Sequence, residues 1–160
     1  MKKQNGGVAG YMGWGHSYKC QNCDKSGDIY CDYGMAYPQD CEEVYEDAKN
    51  GRYGDAWRAC IEKHPNGAFD CALEIYKCTA CGFWKNDSRK NYFVGRNAFR
   101  IRKKYVTNVD RSVYWCIKRY RHICPRCNKV MHRADLKTEL LHCLTCGNVL
   151  KIDFDQFLWD

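Results

Sequence analysis

No run of about 18 apolar residues occurs in this chain, so its sequence offers no membrane-spanning helix. The N-terminal stretch "MKKQNGGVAGYMGWGHSYKC" starts basic but puts glycines and polar residues where an export signal needs an apolar core. The chain is therefore expected in the reducing cytoplasm. Several catalytic signatures are also missing. There is no H-E-x-x-H, no H-x-E ahead of a P-C-x-x-C, and no phosphate-cradling glycine loop before a lysine. A thioredoxin-like redox motif would need a βαβ context, which the pattern does not provide. Zincin, base-deaminase, P-loop and thioredoxin chemistries are thereby set aside.

What is present is cysteine, 13 in 160 residues, an odd number that does not suit complete disulfide pairing. In a reducing compartment, paired CxxC motifs point to metal rather than to disulfides. At this length the chain is one ordinary domain or two very small ones, and metal replaces part of the apolar core.

Four CxxC pairs occur: Cys20/Cys23, Cys78/Cys81, Cys124/Cys127 and Cys143/Cys146. In such a knuckle the backbone turns so that two sulfurs point to one side, and backbone amides can donate to the thiolates. The residue after the second cysteine often needs φ > 0, which Gly82 and Gly147 allow and Asn128 tolerates; Asp24 fits less well. The last two pairs read C-x2-C-x15-C-x2-C, the spacing of a zinc ribbon, with short strand-like pieces in "KVMHRADLKTELLH". By elimination, Cys20/Cys23 and Cys78/Cys81 share the other ion. "YKCQNC" and "YKCTAC" then enter similar turns, with 54 residues inserted between them. Cys31, Cys41, Cys60, Cys71 and Cys116 lie outside the pairs and read as core. His122 and His142 flank knuckles and are expected to support ligands rather than replace them.

Inside the insertion, "DIYCDYGMAY" alternates as a strand reaching Pro38. "PQDCEEVYEDAKNG" is helical, with Asp40 as a candidate cap and Val44, Tyr45 and Ala48 on one face. "YGDAWRACIEKHPNG" repeats that logic, with Ala56, Trp57, Cys60 and Ile61 facing inward. "AFDCALEIYKC" returns as a strand. The two helices are expected to pack on the ribbon's sheet. The fold class expected is α+β: residues 1–84 a split zinc ribbon with a helical insertion (24–77), residues 85–121 a connecting segment, and residues 122–160 a C-terminal zinc ribbon.

This pattern of a knuckle, "GMAYP", "NGRYG", "HPNG" and "CTACG" over about residues 18–84 resembles small zinc-ribbon proteins of anaerobic bacteria, with rubredoxin-like CxxC knuckles. The trailing "CPRC…CLTCG" is similar too. The resemblance implies zinc, a fold and a bacterial source, and supports the pairing above; it implies no activity.

Charge is concentrated in one place. Residues 1–84 carry a net −3, residues 85–121 a net +10 and residues 122–160 zero, within an overall +7. Two filled four-thiolate sites would each add −2, so the basic segment dominates the metallated chain. Its cations alternate with aromatic residues. Arg96, Arg100, Arg102, Lys103, Lys104, Lys118, Arg119 and Arg121 suit phosphate contacts, and Tyr105 and Trp115 suit stacking on unpaired bases. "VYWCIKRY" alternates as a strand leading into the third knuckle, whereas the period of "RNAFRIRKKY" is ambiguous and fits a strand or a short helix.

The function expected is nucleic-acid binding by a two-zinc protein that is not an enzyme, because catalytic zinc keeps an open position and both sites here are closed by four thiolates. The alternative is an adaptor or inhibitor of a host or phage system, its basic face docking an acidic protein. A nuclease using His122 or His132 is third, and no spacing demands it.

Overall fold

The computed structural model describes residues 12–159; the residues read above for an export signal lie largely outside this range. The described residues form ten strands and two helices: β1 (Gly13–Cys20), β2 (Ser26–Cys31), α1 (Tyr37–Lys49), α2 (Asp55–Lys63), β3 (Ala68–Asp70), β4 (Leu73–Lys77), β5 (Trp84–Ser88), β6 (Asn91–Gly95), β7 (Tyr114–Arg119), β8 (His132–Arg133), β9 (Leu150–Ile152) and β10 (Phe157–Trp159). The class is α+β with antiparallel sheets, as expected. Among the described residues no helix is long and apolar enough to cross a membrane.

Three small sheets organise the chain. β1 pairs with β2 on one side and with β10 and β9 on the other; β4 lies between β5 and β8; β6 lies between β3 and β7. The first two sheets meet where Asp32 bridges Leu73. Around them sits a core of Ile29, Ile75, Trp84, Leu141 and Leu150 that also encloses Cys20 and Cys143. A smaller cluster joins Tyr76 and Met131 to Cys78 and Cys124. Both of these cores are built around sulfur.

The helices do not pack on that framework. They cover the β3–β6–β7 sheet, where Tyr37, Val44, Tyr45, Trp57, Phe69 and Tyr92 form an aromatic core that contains no knuckle cysteine. The i, i+4, i+7, i+8, i+11 spacing of Tyr37, Cys41, Val44, Tyr45 and Ala48 makes one buried stripe along α1. Asn50 then caps the helix and Gly51 follows at φ 83°, a left-handed turn that favours glycine. In α2, Trp57 and Ile61 are the buried pair.

Two boundaries differ from expectation. The strand expected to reach Pro38 ends at Cys31, because Asp32 turns left-handed at φ 70°. Tyr37 is therefore the first residue of α1, and Asp40 sits inside the first turn rather than capping it; the cap position is Ala36. There, Asp40 still complements the positive end of the helix dipole. The return strand breaks into β3 and β4, with Cys71 and Ala72 buried between them. "RNAFRIRKKY" is neither strand nor helix but an irregular loop.

The segment 85–121 contributes structure as well as charge. It holds β5, β6 and β7, and buries Tyr92 and Phe93. Arg89 reaches inward, its Nη1 2.9 Å from Asp70 and its Nη2 2.7 Å from Glu74, while Arg133 Nε lies 3.0 Å from Glu74.

Candidate metal centres and basic groove

Each CxxC forms the same turn. The first cysteine's N–H donates to the carbonyl five residues on: Cys20 to Lys25, Cys78 to Phe83, Cys124 to Lys129 and Cys143 to Asn148, at 2.7–2.8 Å. The residue after the second cysteine is left-handed in all four, with φ 55° at Asp24, 72° at Gly82, 59° at Asn128 and 78° at Gly147. Asp24, the poorest fit by residue type, adopts the conformation too.

The knuckles combine in an order that overturns the expected pairing. Cys20 and Cys23 meet Cys143 and Cys146, whereas Cys78 and Cys81 meet Cys124 and Cys127. The closest cross-knuckle sulfurs are Cys20–Cys146 at 3.4 Å and Cys23–Cys143 at 3.5 Å in one cluster, Cys78–Cys127 at 3.4 Å and Cys81–Cys124 at 3.5 Å in the other. Strand pairing is the cause. Cys20 stands opposite Leu150 in the β1–β9 ladder, which sets the first knuckle against the last. Lys77 stands opposite His132 in the β4–β8 ladder, which sets the second against the third. The C-x15-C stretch therefore crosses between the two sites instead of closing one. Its middle, Ala134 and Leu141, drops into the core of the first cluster.

In each cluster all four sulfurs lie within 4.8 Å of one another, so each can hold one metal ion. A tetrahedron with metal–sulfur bonds of about 2.3 Å sets its sulfurs about 3.8 Å apart, close to the spacing present. All thirteen cysteines are free thiols rather than disulfides. Backbone amides draw the Cys146 thiol down to about 6 and lower that of Cys143, whereas burial and the neighbouring sulfurs push Cys23, Cys81 and Cys127 up despite their own backbone amides. Cys20, Cys78, Cys124 and Cys143 are buried, while Cys81 and Cys146 are exposed. Of the remaining cysteines, Cys31, Cys41 and Cys71 are buried in the cores, and Cys60 and Cys116 are half-buried.

The flanking histidines are held by contacts of their own. His122 is buried, stacked on Tyr76 with ring centroids 3.5 Å apart, and its Nδ1 lies 3.4 Å from Asp87. Burial lowers its pKa against the pull of Asp87. His142 offers its carbonyl to the Trp84 indole N–H at 2.8 Å. His132 Nε2 is 2.8 Å from Glu139. None of the three lines the groove described next.

The basic residues divide among several places. A groove of about 1440 Å³ runs between the end of α2 and the 95–105 loop, and takes in Arg100, Arg102, Lys103 and Tyr105. Lys63, His64, Phe99 and Tyr114 join them, and no carboxylate is among its lining residues. Gly95 makes the fold possible: a Cβ there would stand 1.8 Å from the Phe99 carbonyl oxygen. Asn97 and Ala98 follow with φ of 49° and 63°, and Ala98 pays the strain of a left-handed non-glycine residue at the groove wall. A second cleft, of about 870 Å³, holds Arg96, Trp115 and Arg119, together with Arg111. The Arg96 guanidinium lies 5.8 Å over the Trp115 ring, and Trp115 is 58 % exposed. Two expected contacts lie elsewhere. Lys104 donates to the Pro65 carbonyl at 2.8 Å and sits over Tyr45, and Lys118 sits over Trp57. Arg121 is exposed and belongs to neither concavity.

Sequence reasoning missed Lys63 and His64. Their signal was a Lys-His-Pro-Asn-Gly stretch closing α2, 30 or more residues before the loop it faces. No family model, curated protein or solved structure matches this chain.

Proposed function

We propose that this chain is a two-zinc, non-enzymatic, cytoplasmic protein that holds a nucleic-acid strand in the groove between α2 and the 95–105 loop. The observation that carries the reading is the groove's lining. Lys63, Arg100, Arg102 and Lys103 are joined by Phe99, Tyr105 and Tyr114 with no acidic residue among them. Cations neutralise successive phosphates, and aromatic faces stack on unpaired bases whatever their sequence. At about 1440 Å³ the space exceeds the ordinary range for a small metabolite, about 300–1,000 Å³. An extended polymer crossing the surface suits it better.

Zinc is the ion proposed for both clusters, since four thiolates in a tetrahedron suit it and leave no coordination site for water. Iron in the same ligands would colour the protein. With both sites closed, metal serves the fold and not a reaction. The central basic surface then supplies the activity.

The test is binding of a fluorescent single-stranded 12-mer at 50 and 200 mM salt. Each phosphate contact contributes about −0.7 to the log–log salt slope for a single strand, so four contacts predict a slope near −3. Replacing Arg100 and Arg102 by alanine reduces that slope by about 1.4 and weakens binding of all sequences alike. No retention at 50 mM salt, together with capture of a stoichiometric acidic protein, would reject the strand and favour a protein-docking face.

A further inference from the structure

A third concavity lies apart from the basic groove and shares no residue with it. It measures about 690 Å³, within the usual range for a small-molecule site. β1 contributes Trp14 and His16, the turn after β2 contributes Asp32, β8 contributes Arg133, and the C-terminal region contributes Phe154. Glu74 of β4 and Arg89 complete the wall, so the cleft forms where the two ends of the chain meet its middle.

Three features make it a built site rather than a surface dent. His16 is only 5 % exposed, yet its Nδ1 has no hydrogen-bond partner among the described residues. Buried polar atoms are normally satisfied, and an exception in a cleft wall points to a ligand atom or a trapped water. The rings of Trp14 and Phe154 each stand edge-on to that imidazole with centroids 5.3 Å away, giving an aromatic surround. Asp32 enters none of the salt bridges among the described residues; the Trp14 side chain hydrogen-bonds its carboxylate, and Arg89 and Arg133 act on it from further off. Arg133 engages Glu74 through Nε while its side chain stays 69 % exposed.

We propose that this cleft binds a guanine base. An ionised carboxylate only accepts hydrogen bonds, so Asp32 calls for two adjacent donors on a ligand; a guanidinium only donates, so Arg133 calls for two adjacent acceptors. Guanine is the common base that has both, N1–H beside N2–H2 on one edge and O6 beside N7 on the other. The aromatic surround suits its flat faces, and His16 supplies the remaining polar contact. This site does not depend on the groove holding a strand. The base could arrive as a free nucleotide or as one residue of a strand, and the experiment separates the two.

The experiment follows tryptophan fluorescence of the metal-loaded chain on titration with GMP, with AMP, and with a thymine hexamer carrying one guanine or none. Expected are saturable quenching by GMP, at least tenfold weaker binding of AMP, and at least a tenfold loss of GMP affinity in Asp32→Asn. Asparagine tolerates the left-handed backbone there. Arg133→Met, at an exposed side chain, gives an independent loss. Arg102→Ala in the groove leaves GMP affinity unchanged, so a failed groove and a failed cleft are told apart. Guanine-dependent hexamer binding that Asp32→Asn removes, without GMP binding, assigns the strand as the source. Equal binding of GMP and AMP, or no guanine-dependent signal in either arm, overturns the proposal, as does an Asp32→Asn variant with unaltered affinity.

Discussion

The two halves of this molecule are held by different means. In the knuckle half, two small sheets enclose cores whose innermost members include four ligand cysteines, Cys20, Cys78, Cys124 and Cys143. In the helical half, two helices and the β3–β6–β7 sheet bury a cluster of aromatic rings with no ligand among them. Trp57 stacks on Phe69 at 5.6 Å, and Phe69 meets Tyr92 at 4.8 Å. A chain of this size can close an apolar core only where aromatic bulk is gathered, since each buried ring removes about 150–250 Å² from water. Elsewhere, on the proposed two-ion reading, metal would substitute for that bulk. That reading makes metal binding and folding one equilibrium in the knuckle half and separate ones in the helical half.

The strongest test of that contrast is metal stoichiometry. Two ions per chain are expected by elemental analysis. The double variant Cys20→Ser with Cys146→Ser keeps one ion, because both cysteines serve the same cluster. Had the knuckles paired in chain order, the same double variant would damage both sites and keep none. A strong chelator is expected to expose the amides of β1, β2, β4 and β5 to rapid hydrogen exchange, while α1 and α2 keep their protection. Loss of protection in both halves together would show a single cooperative unit and break the comparison.

How far the sequence disclosed these halves depends on whether a feature is local. The eight candidate ligands and the left-handed residue after each knuckle follow from a few adjacent residues, and α1 and α2 follow from spacing along one face. Knuckle partnership does not. It is decided by Cys20 against Leu150 and Lys77 against His132, pairs far apart in sequence. Chain order offered no means of seeing either ladder. The groove was half legible for the same reason: Arg100, Arg102 and Lys103 stand together in the chain, but Lys63 and His64 are brought to them by the packing of α2. Arg89 was counted only as charge, although it is a structural ion joining two sheets.

That arginine gives the next test, because it ties the halves together. Asp70 ends β3 in the helical half and Glu74 lies in β4 of the knuckle half; Arg89 bridges both. Burial raises the pKa of each carboxyl, and Arg89 pulls both back down. Arg89→Met removes the cation and leaves Asp70, 1 % exposed, without its ion pair. The expected loss is about 3–5 kcal/mol at pH 7. A carboxyl with a raised folded pKa is destabilising when ionised, so the deficit should shrink as pH falls toward 5 and the acids protonate. Urea midpoints of wild type and variant at pH 7 and pH 5 measure both parts. A constant deficit across that range would mean that packing, not charge, is what Arg89 supplies.

The smallest expected effect distinguishes the knuckles from one another. Gly82 and Gly147 take the left-handed turn without a Cβ penalty, whereas Asp24 and Asn128 take it with one. A left-handed non-glycine residue costs about 1–2 kcal/mol in general, and asparagine and aspartate less because their side chains can bond locally. Glycine also adds freedom to the unfolded chain, which offsets part of the gain. Asp24→Gly and Asn128→Gly should therefore each raise stability by a few tenths of a kcal/mol, up to about 1 kcal/mol. The Lys19–Asp24 pair lost in the first variant, at 3.4 Å and largely exposed, should subtract little from this. Since the two substitutions lie in different clusters, each should tighten metal at its own site alone in a competition with a chromogenic chelator. Gains that appear equally at both sites would show that the clusters communicate through β4 and the Asp32–Leu73 bridge, and that the knuckle half responds as one body.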